Sequence, residues 1–258
     1  MSRALGRTFA GFVFLFLLAP LIVLVVASFN PSDSVAFPPD GLSLRWYEYV
    51  LSSRAWLVSF QLSGLLVVVV VLTTTVLGTL AAYGLARGSF RGRGVVGGIA
   101  LSPLMIPEII IGLGLLYYLQ GLGLINTLPG LWLAHSLVAL PYVVRAVLVS
   151  AAALDPTLER AAASLGAGRA RVLLTVTLPL LRPGIVAGAV FAAVTSLGEV
   201  AVTALVAGAN TTTVPLRIFS AVQFQLDPSA AAVSTLLLLA SVVVMLVLER
   251  FVRLSELL

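Results

Sequence analysis

The chain has 258 residues, 60% of them hydrophobic and only 10% charged, with a mean hydropathy of +1.14, whereas a soluble domain carries about 25% charged residues. Its formal charge of +5 comes from 15 basic groups, all of them Arg, against 10 acidic ones, with no Cys and one His, His135. This composition excludes a water-soluble globule, a Lys-dependent phosphate loop, Schiff-base chemistry, disulfides, thiolate zinc sites and Cys/His dyads, and a lone His forms no transition-metal cage.

A helix needs about 20 apolar residues to cross a bilayer core. The first such run is 9–29, FAGFVFLFLLAPLIVLVVASF, too long for a signal-peptide core and followed by no small-residue cleavage site, so it is expected to stay as a helix. The segment 30–56 carries Trp46, Tyr47, Tyr49 and Trp56, which reads as a short surface helix with interface aromatics or as a docking surface for an external protein. Further spans are expected at about 57–86, 95–119 and 131–153. Within the third, Pro107 frees backbone carbonyls and bends the helix beside Glu108. The segment 154–183, LDPTLERAAASLGAGRARVLLTVTLPLLRP, is amphipathic. Asp155-Pro156 starts a helix, Leu158, Ala161, Ala162 and Leu165 form an apolar stripe, and Gly166 stops it. A second helix is expected from Arg169 to Leu178, broken by Pro179 and Pro183. Such a small-residue helix suits another protein's groove, or lies on lipid. The last two spans are expected at about 184–207 and 230–251, six in all.

Arginines set the orientation, because basic loops stay in the cytoplasm. Arg3, Arg7, Arg87, Arg91, Arg93, Arg160, Arg169, Arg171, Arg182, Arg250 and Arg253 fall on one side, Arg45, Arg54 and Arg217 on the other, and Arg145 within the fourth span, which accounts for all 15. Both termini are then cytoplasmic. Arg145 is read as snorkelling to that side.

The run Leu158-Glu-Arg-Ala-Ala-Ala-Ser-Leu-Gly166-Ala, with Leu178-Pro179 and Pro183-Gly184-Ile185 at its spacing, resembles the EAA loop of permease subunits of binding-protein-dependent ABC importers. FPPDGLSLRWYEYVL, LAHSLVALPYVVRAVL and the stretch from Ser196 to Leu239 are similar to the polyamine branch of that family. The resemblance implies an all-α membrane protein, one transmembrane domain over 1–258 with the six-helix type I ABC importer permease (MetI-like) fold, in a bacterial inner membrane. It implies half of a translocation pathway for a small solute, spermidine or putrescine, with 2-aminoethylphosphonate, ferric iron or thiamine as alternatives in the same class. The implied partners are a second permease, an ATPase dimer that holds ATP and Mg, an extracytoplasmic substrate-binding protein and the lipid bilayer. Nucleic acid is not expected, and the chain itself holds no cofactor and is not an enzyme. The implied ATPase contact is a coupling helix with Glu159, Arg160, Ala161, Ala162, Leu165 and Gly166. One departure stands out: the motif's glutamate aligns with Arg160, and Glu159 lies one residue earlier, about 100° around a helix.

Charges within spans are costly and tend to line watery paths. Glu199, after Gly198 in the middle of the expected fifth span, and Glu108 are therefore the candidate substrate-pathway residues; a structural bond from Glu199 to Thr195 or Thr203, and solvation of Glu108 at an interface, are the bland readings. His135 reads as a packing or hydrogen-bonding residue. Gly94/Gly98 and Gly184/Gly188 have the small-xxx-small spacing of close helix contacts. An ion-coupled secondary transporter using Glu108 and Glu199 is the rival from another class.

Overall fold

The computed structural model describes residues 3–33, 37–225 and 227–256; the side chains of Arg3 and Arg253, which enter the orientation argument, lie outside the described set. Helices dominate, and no strand occurs among the described residues. Helix α1 (Arg3–Ala27) leads through an irregular segment to α2 (Arg45–Ser52) and the long α3 (Arg54–Arg87). Among the described residues, five helices are long and apolar enough to cross a membrane, and a sixth crossing is available if a bent pair counts as one.

That pair corrects the third expected span. Instead of one helix over 95–119, α4 (Arg93–Leu101) passes into a short 3₁₀ turn (Ser102–Met105), and α5 (Glu108–Gly121) leaves it at 107°. Pro107 restricts the residue before it, and Ile106 is extended (φ −100°, ψ 132°). The bend expected at this proline is therefore a full break, and the chain turns through 107°.

Helix α6 (Leu128–Ala153), capped by the Thr127 hydroxyl on the Gly130 N–H, is the centre of the bundle. After α7 (Pro156–Ser164) comes a second correction. Pro179 and Pro183 do not break the chain after Leu178; α8 (Arg169–Val172), a π turn (Leu173–Thr177) and α9 (Leu178–Gly198) form one continuous rod. The wider turn shifts the hydrogen-bond ladder by a residue just before Pro179, which has no N–H to give. The fifth span is consequently Arg169–Gly198, displaced toward the N-terminus from 184–207. Short α10 (Thr203–Val206) and α11 (Val214–Ser220) lead to α12 (Ser229–Glu256).

Helices α3, α6 and α9 make the core, with Leu66, Val70, Val143, Val147, Leu181 and Ala192 buried among them. Val143 sits between two glycines: a Cβ on Gly78 of α3 would lie 2.7 Å from its Cγ1, and one on Gly188 of α9 3.1 Å from its Cα. Gly184 likewise lets Ser150 and the Ala146 carbonyl approach, so its pairing with Gly188 is used within the chain. Gly94 and Gly98 meet nothing within 4 Å. At the far end of α3, Ser59 donates to the Thr212 carbonyl (2.8 Å), Ser63 accepts from the Val214 N–H (2.9 Å) and the Arg217 Nε–H donates to Ser59 (2.8 Å). Helix α2 forms as expected, but Trp46 and Trp56 turn inward, and Tyr49 stays exposed.

Candidate functional site

Two clusters carry chemistry. The first lies where α9 and α5 are interrupted. Helix α9 stops at Gly198, and Glu199 is its C-cap in extended conformation (φ −71°, ψ 118°), not a residue in mid-helix. Its carboxylate Oε1 accepts the Val202 N–H at 2.7 Å and caps the turn into α10, while its backbone carbonyl accepts the Thr203 hydroxyl at 3.1 Å. A buried carboxylate is tolerated because backbone donors meet it. The structural bond to the Thr203 hydroxyl therefore exists, made by the Glu199 main-chain carbonyl, while the acid is held by backbone N–H groups of the turn. Glu199 is 4% exposed.

Helix α5 begins against the same turn. A Cβ on Gly112 would lie 3.1 Å from Val202 Cα and 2.9 Å from Leu205 Cδ1, so only glycine allows this approach. One turn earlier, Glu108 occupies the first turn of α5, where the helix dipole favours a negative charge, and it is exposed in the single chain. The two carboxylates are close enough for their charges to interact. Interruption of two helices thus brings together acids that are 91 positions apart in sequence (199 − 108).

Behind them stands His135 of α6. Its Nδ1 meets Ser196 Oγ in the last turn of α9, and its Nε2 meets Thr203 Oγ1 across the break, both at 2.9 Å. Because Thr203 gives its proton to the Glu199 carbonyl, the network assigns Nε2–H as donor and leaves Nδ1 to accept from Ser196. His135 is a hydrogen-bonding residue, as its apolar neighbours suggest, and pins both sides of the interruption. Arg145 is exposed.

The second cluster is α7. The Asp155 carboxylate accepts the Thr157 N–H at 2.8 Å, an N-cap. That bond and the Thr157 hydroxyl hold its carboxyl below the usual carboxylate range. Gly166 (φ +87°) closes the helix in a Schellman motif, with Ala167 N–H on the Ala162 carbonyl (3.2 Å) and Gly166 N–H on that of Ala163 (3.0 Å). Arg160, Ala161 and Gly166 are exposed, Ala162 is half-buried, and Leu165 is 90% exposed. Glu159 faces the other way. It is engaged by Arg87 at the end of α3 (2.8 Å) and by the Thr177 hydroxyl (2.7 Å). Neither partner stood out in the sequence: Arg87 reads as one more basic loop residue, and Thr177 as part of an apolar run.

A family model described as "Binding-protein-dependent transport system inner membrane component" matches residues 74–256. The chain belongs to that family. This inner-membrane permease family removes the secondary-transporter reading and leaves the chain as a transport subunit. Among relatives, the spermidine/putrescine transport system permease protein PotC of Escherichia coli (strain K12) is 30% identical over 253 residues, which cover 98% of this chain and 96% of that one. The putrescine transport system permease protein PotI of the same strain is 34% identical over 235 residues, 88% and 83% of the two chains. A bacterial ABC transporter involved in the import of the acidic polysaccharide alginate has the same fold, with a TM-score of 0.76 at 17% identity over 97% of this chain and 98% of that one. The same kind of transporter has been seen in complex with an alginate pentasaccharide-bound periplasmic protein (TM-score 0.73, 17% identity, 98% of this chain and 94% of that one). All these matches agree with the all-α, MetI-like permease architecture.

Proposed function

We propose that this permease subunit imports a polyamine, spermidine or putrescine, driven by ATP hydrolysed on partner subunits. The observation that carries the substrate is the convergence of Glu108 and Glu199 at two interrupted helices, where paired carboxylates complement a molecule with separated ammonium groups. The length-wide identity to permeases named for those substrates supports it. Molecules with a single ammonium group would leave one acid unmatched.

In this reading the second permease completes the pathway, and an ATPase dimer seats α7 through Arg160, Ala161, Ala162, Leu165 and Gly166. An extracytoplasmic binding protein delivers substrate at the end carrying α2. The arginine-rich end, with both termini, faces the cytoplasm. ATP closes the ATPase dimer and displaces α7, the spans reorient so that the path opens outward, and hydrolysis resets it. The chain contributes no bond chemistry; it contributes a surface that takes up work and carboxylates that select charge.

The test is the ATPase rate of the complex that co-purifies with this chain, in nanodiscs with its binding protein, with and without spermidine. Stimulation by spermidine is expected. ATPase activity indifferent to spermidine and putrescine refutes the substrate, and purification without any ATPase refutes the ATP-driven mechanism.

A further inference from the structure

The Glu159 carboxylate is the meeting point of four elements. Its Oε2 lies 2.8 Å from Arg87 Nε, at the last residue of α3, and its Oε1 accepts the Thr177 hydroxyl at 2.7 Å, where the π turn hands over to α9. The same Arg87 guanidinium donates through NH2 to the Leu154 carbonyl at 3.0 Å, the C-cap of α6. Both charged side chains are largely buried, with 21% of Arg87 and 15% of Glu159 exposed, so the pair is shielded from the screening that weakens surface ion pairs. The three helices gathered here are those that build the core. Thr177 is fully buried, and the π turn is the local distortion that sets where its hydroxyl falls relative to α7.

Helix α7 has few other holds on the bundle. It has no buried residue of its own, and its contacts run to α8 and the π turn. Force applied at the exposed Leu165 tip passes through the backbone at the ends of α7, through its packing on α8 and the π turn, and through this carboxylate, which alone ties it by side chain to α3 and, through Arg87, to the end of α6.

We infer that Glu159 is a positioning residue that works inward: with Arg87 and Thr177 it forms a joint that makes α7 move as one body with α3, α6 and α9, so that displacement of α7 is transmitted to the spans. The inference rests on the ATP-driven reading above and reassigns Glu159 from the ATPase surface to the chain's own interior. Its neighbour Arg160 is the charge left facing outward. Cutting the joint lets α7 follow the ATPase while the spans lag, which separates ATP hydrolysis from transport.

The chain has no cysteine, so R87C/E159C introduces its only two thiols. In proteoliposomes with the co-purified partners and binding protein, the unlinked variant is expected to keep substrate-stimulated ATP hydrolysis while ATP-driven spermidine uptake falls about tenfold, within the usual range of coupling effects. A short bifunctional methanethiosulfonate linker across the two thiols is expected to restore uptake, and reductant to abolish it again. Wild-type uptake in the unlinked variant, failure of the linker to restore uptake, or loss of the ATPase from the purified complex each overturns the joint. Should R87C/E159C not accumulate, Glu159→Gln keeps the acceptor for Thr177 and removes only the ion pair; a partial loss of uptake per ATP hydrolysed supports the joint, and an unchanged ratio overturns it. Absence of ATP-driven uptake in the wild-type complex instead refutes the transport reading, not the joint.

Discussion

Replacing His135 by Leu isolates what the imidazole does for the interrupted helix. Leucine fills a similar volume, so the change is mainly the loss of two hydrogen bonds, to Ser196 and Thr203. Hydrogen bonds between helices within membranes average about 0.6 kcal/mol each, or about 1.2 kcal/mol for the pair. Orphaning a buried hydroxyl costs about 1–3 kcal/mol. Thr203 keeps an acceptor in the Glu199 carbonyl, and Ser196 can turn its proton to a carbonyl of its own helix, which favours the lower part of that range. The expected loss of stability is therefore about 2 kcal/mol for His135→Leu. Thr203→Val should cost more than Ser196→Ala, since Thr203 ties both the ring and the Glu199 carbonyl. Reversible unfolding in mixed micelles measures all three, and uptake should fall in the same order because the turn that holds Glu199 is loosened. If His135→Leu unfolds at the wild-type denaturant concentration, the pinning argument fails.

Four further outcomes are expected. Glu199→Gln should lower uptake of spermidine while the complex assembles normally, because the amide keeps the cap on Val202 but not the charge; wild-type uptake kinetics would assign the carboxylate a capping role alone. Gly166→Asp places a side chain at φ +87°, which costs about 1–2 kcal/mol, and puts a charge at the exposed tip; loss of the ATPase on co-purification is expected, with Gly166→Asn milder because Asn tolerates this conformation better. Gly78→Ala drives a Cβ to 2.7 Å from Val143, which Gly188 backs on its other side. Overpacking of about 1–3 kcal/mol should outweigh the helix-propensity gain of about 0.5–1 kcal/mol, and Val143→Ala in the same chain should relieve it, as unfolding of the double variant would reveal. The depressed pKa of Asp155 means its capping contribution is complete above the ordinary carboxylate range and is lost only as pH falls through the lowered value. ATPase retention in the wild-type chain should accordingly fall in acid, whereas Thr157→Pro, which removes the donor, should lower retention already at neutral pH and abolish this part of the acid dependence.

Hydropathy runs made the spans legible, since they report on the bilayer and need no knowledge of packing. The ends of α7 were legible too, because Asp155-Pro156 and Gly166 encode their conformations locally. What escaped was direction and register. Pro107 announces an interruption, but the 107° between α4 and α5 depends on how α5 packs against the turn after Glu199. Pro179 and Pro183 look like breakers until a π turn supplies the missing register. Glu199 belongs at a helix end, and the glycine before it was a signal that an apolar run extending to 207 obscured. Glu159 is the clearest case: its partner Arg87 lies 72 positions away, and only the folded bundle brings an acid in a loop motif to a particular one of many arginines.

The first helix behaves unlike the others. None of the apolar window of α1 is buried, and Phe9, Phe12, Phe14 and Phe16 are all more than 60% exposed, while its last turn is held where Ser28 meets the Tyr47 hydroxyl at 2.6 Å. The remaining spans must satisfy one another's shapes, as Val143 does between two glycines. Helix α1 touches the rest of this chain mainly through α12 and near Ser28, so most of its length can be rewritten among apolar residues at little cost to the fold of this chain. It is a stretch where the vocabulary is constrained but the spelling is free.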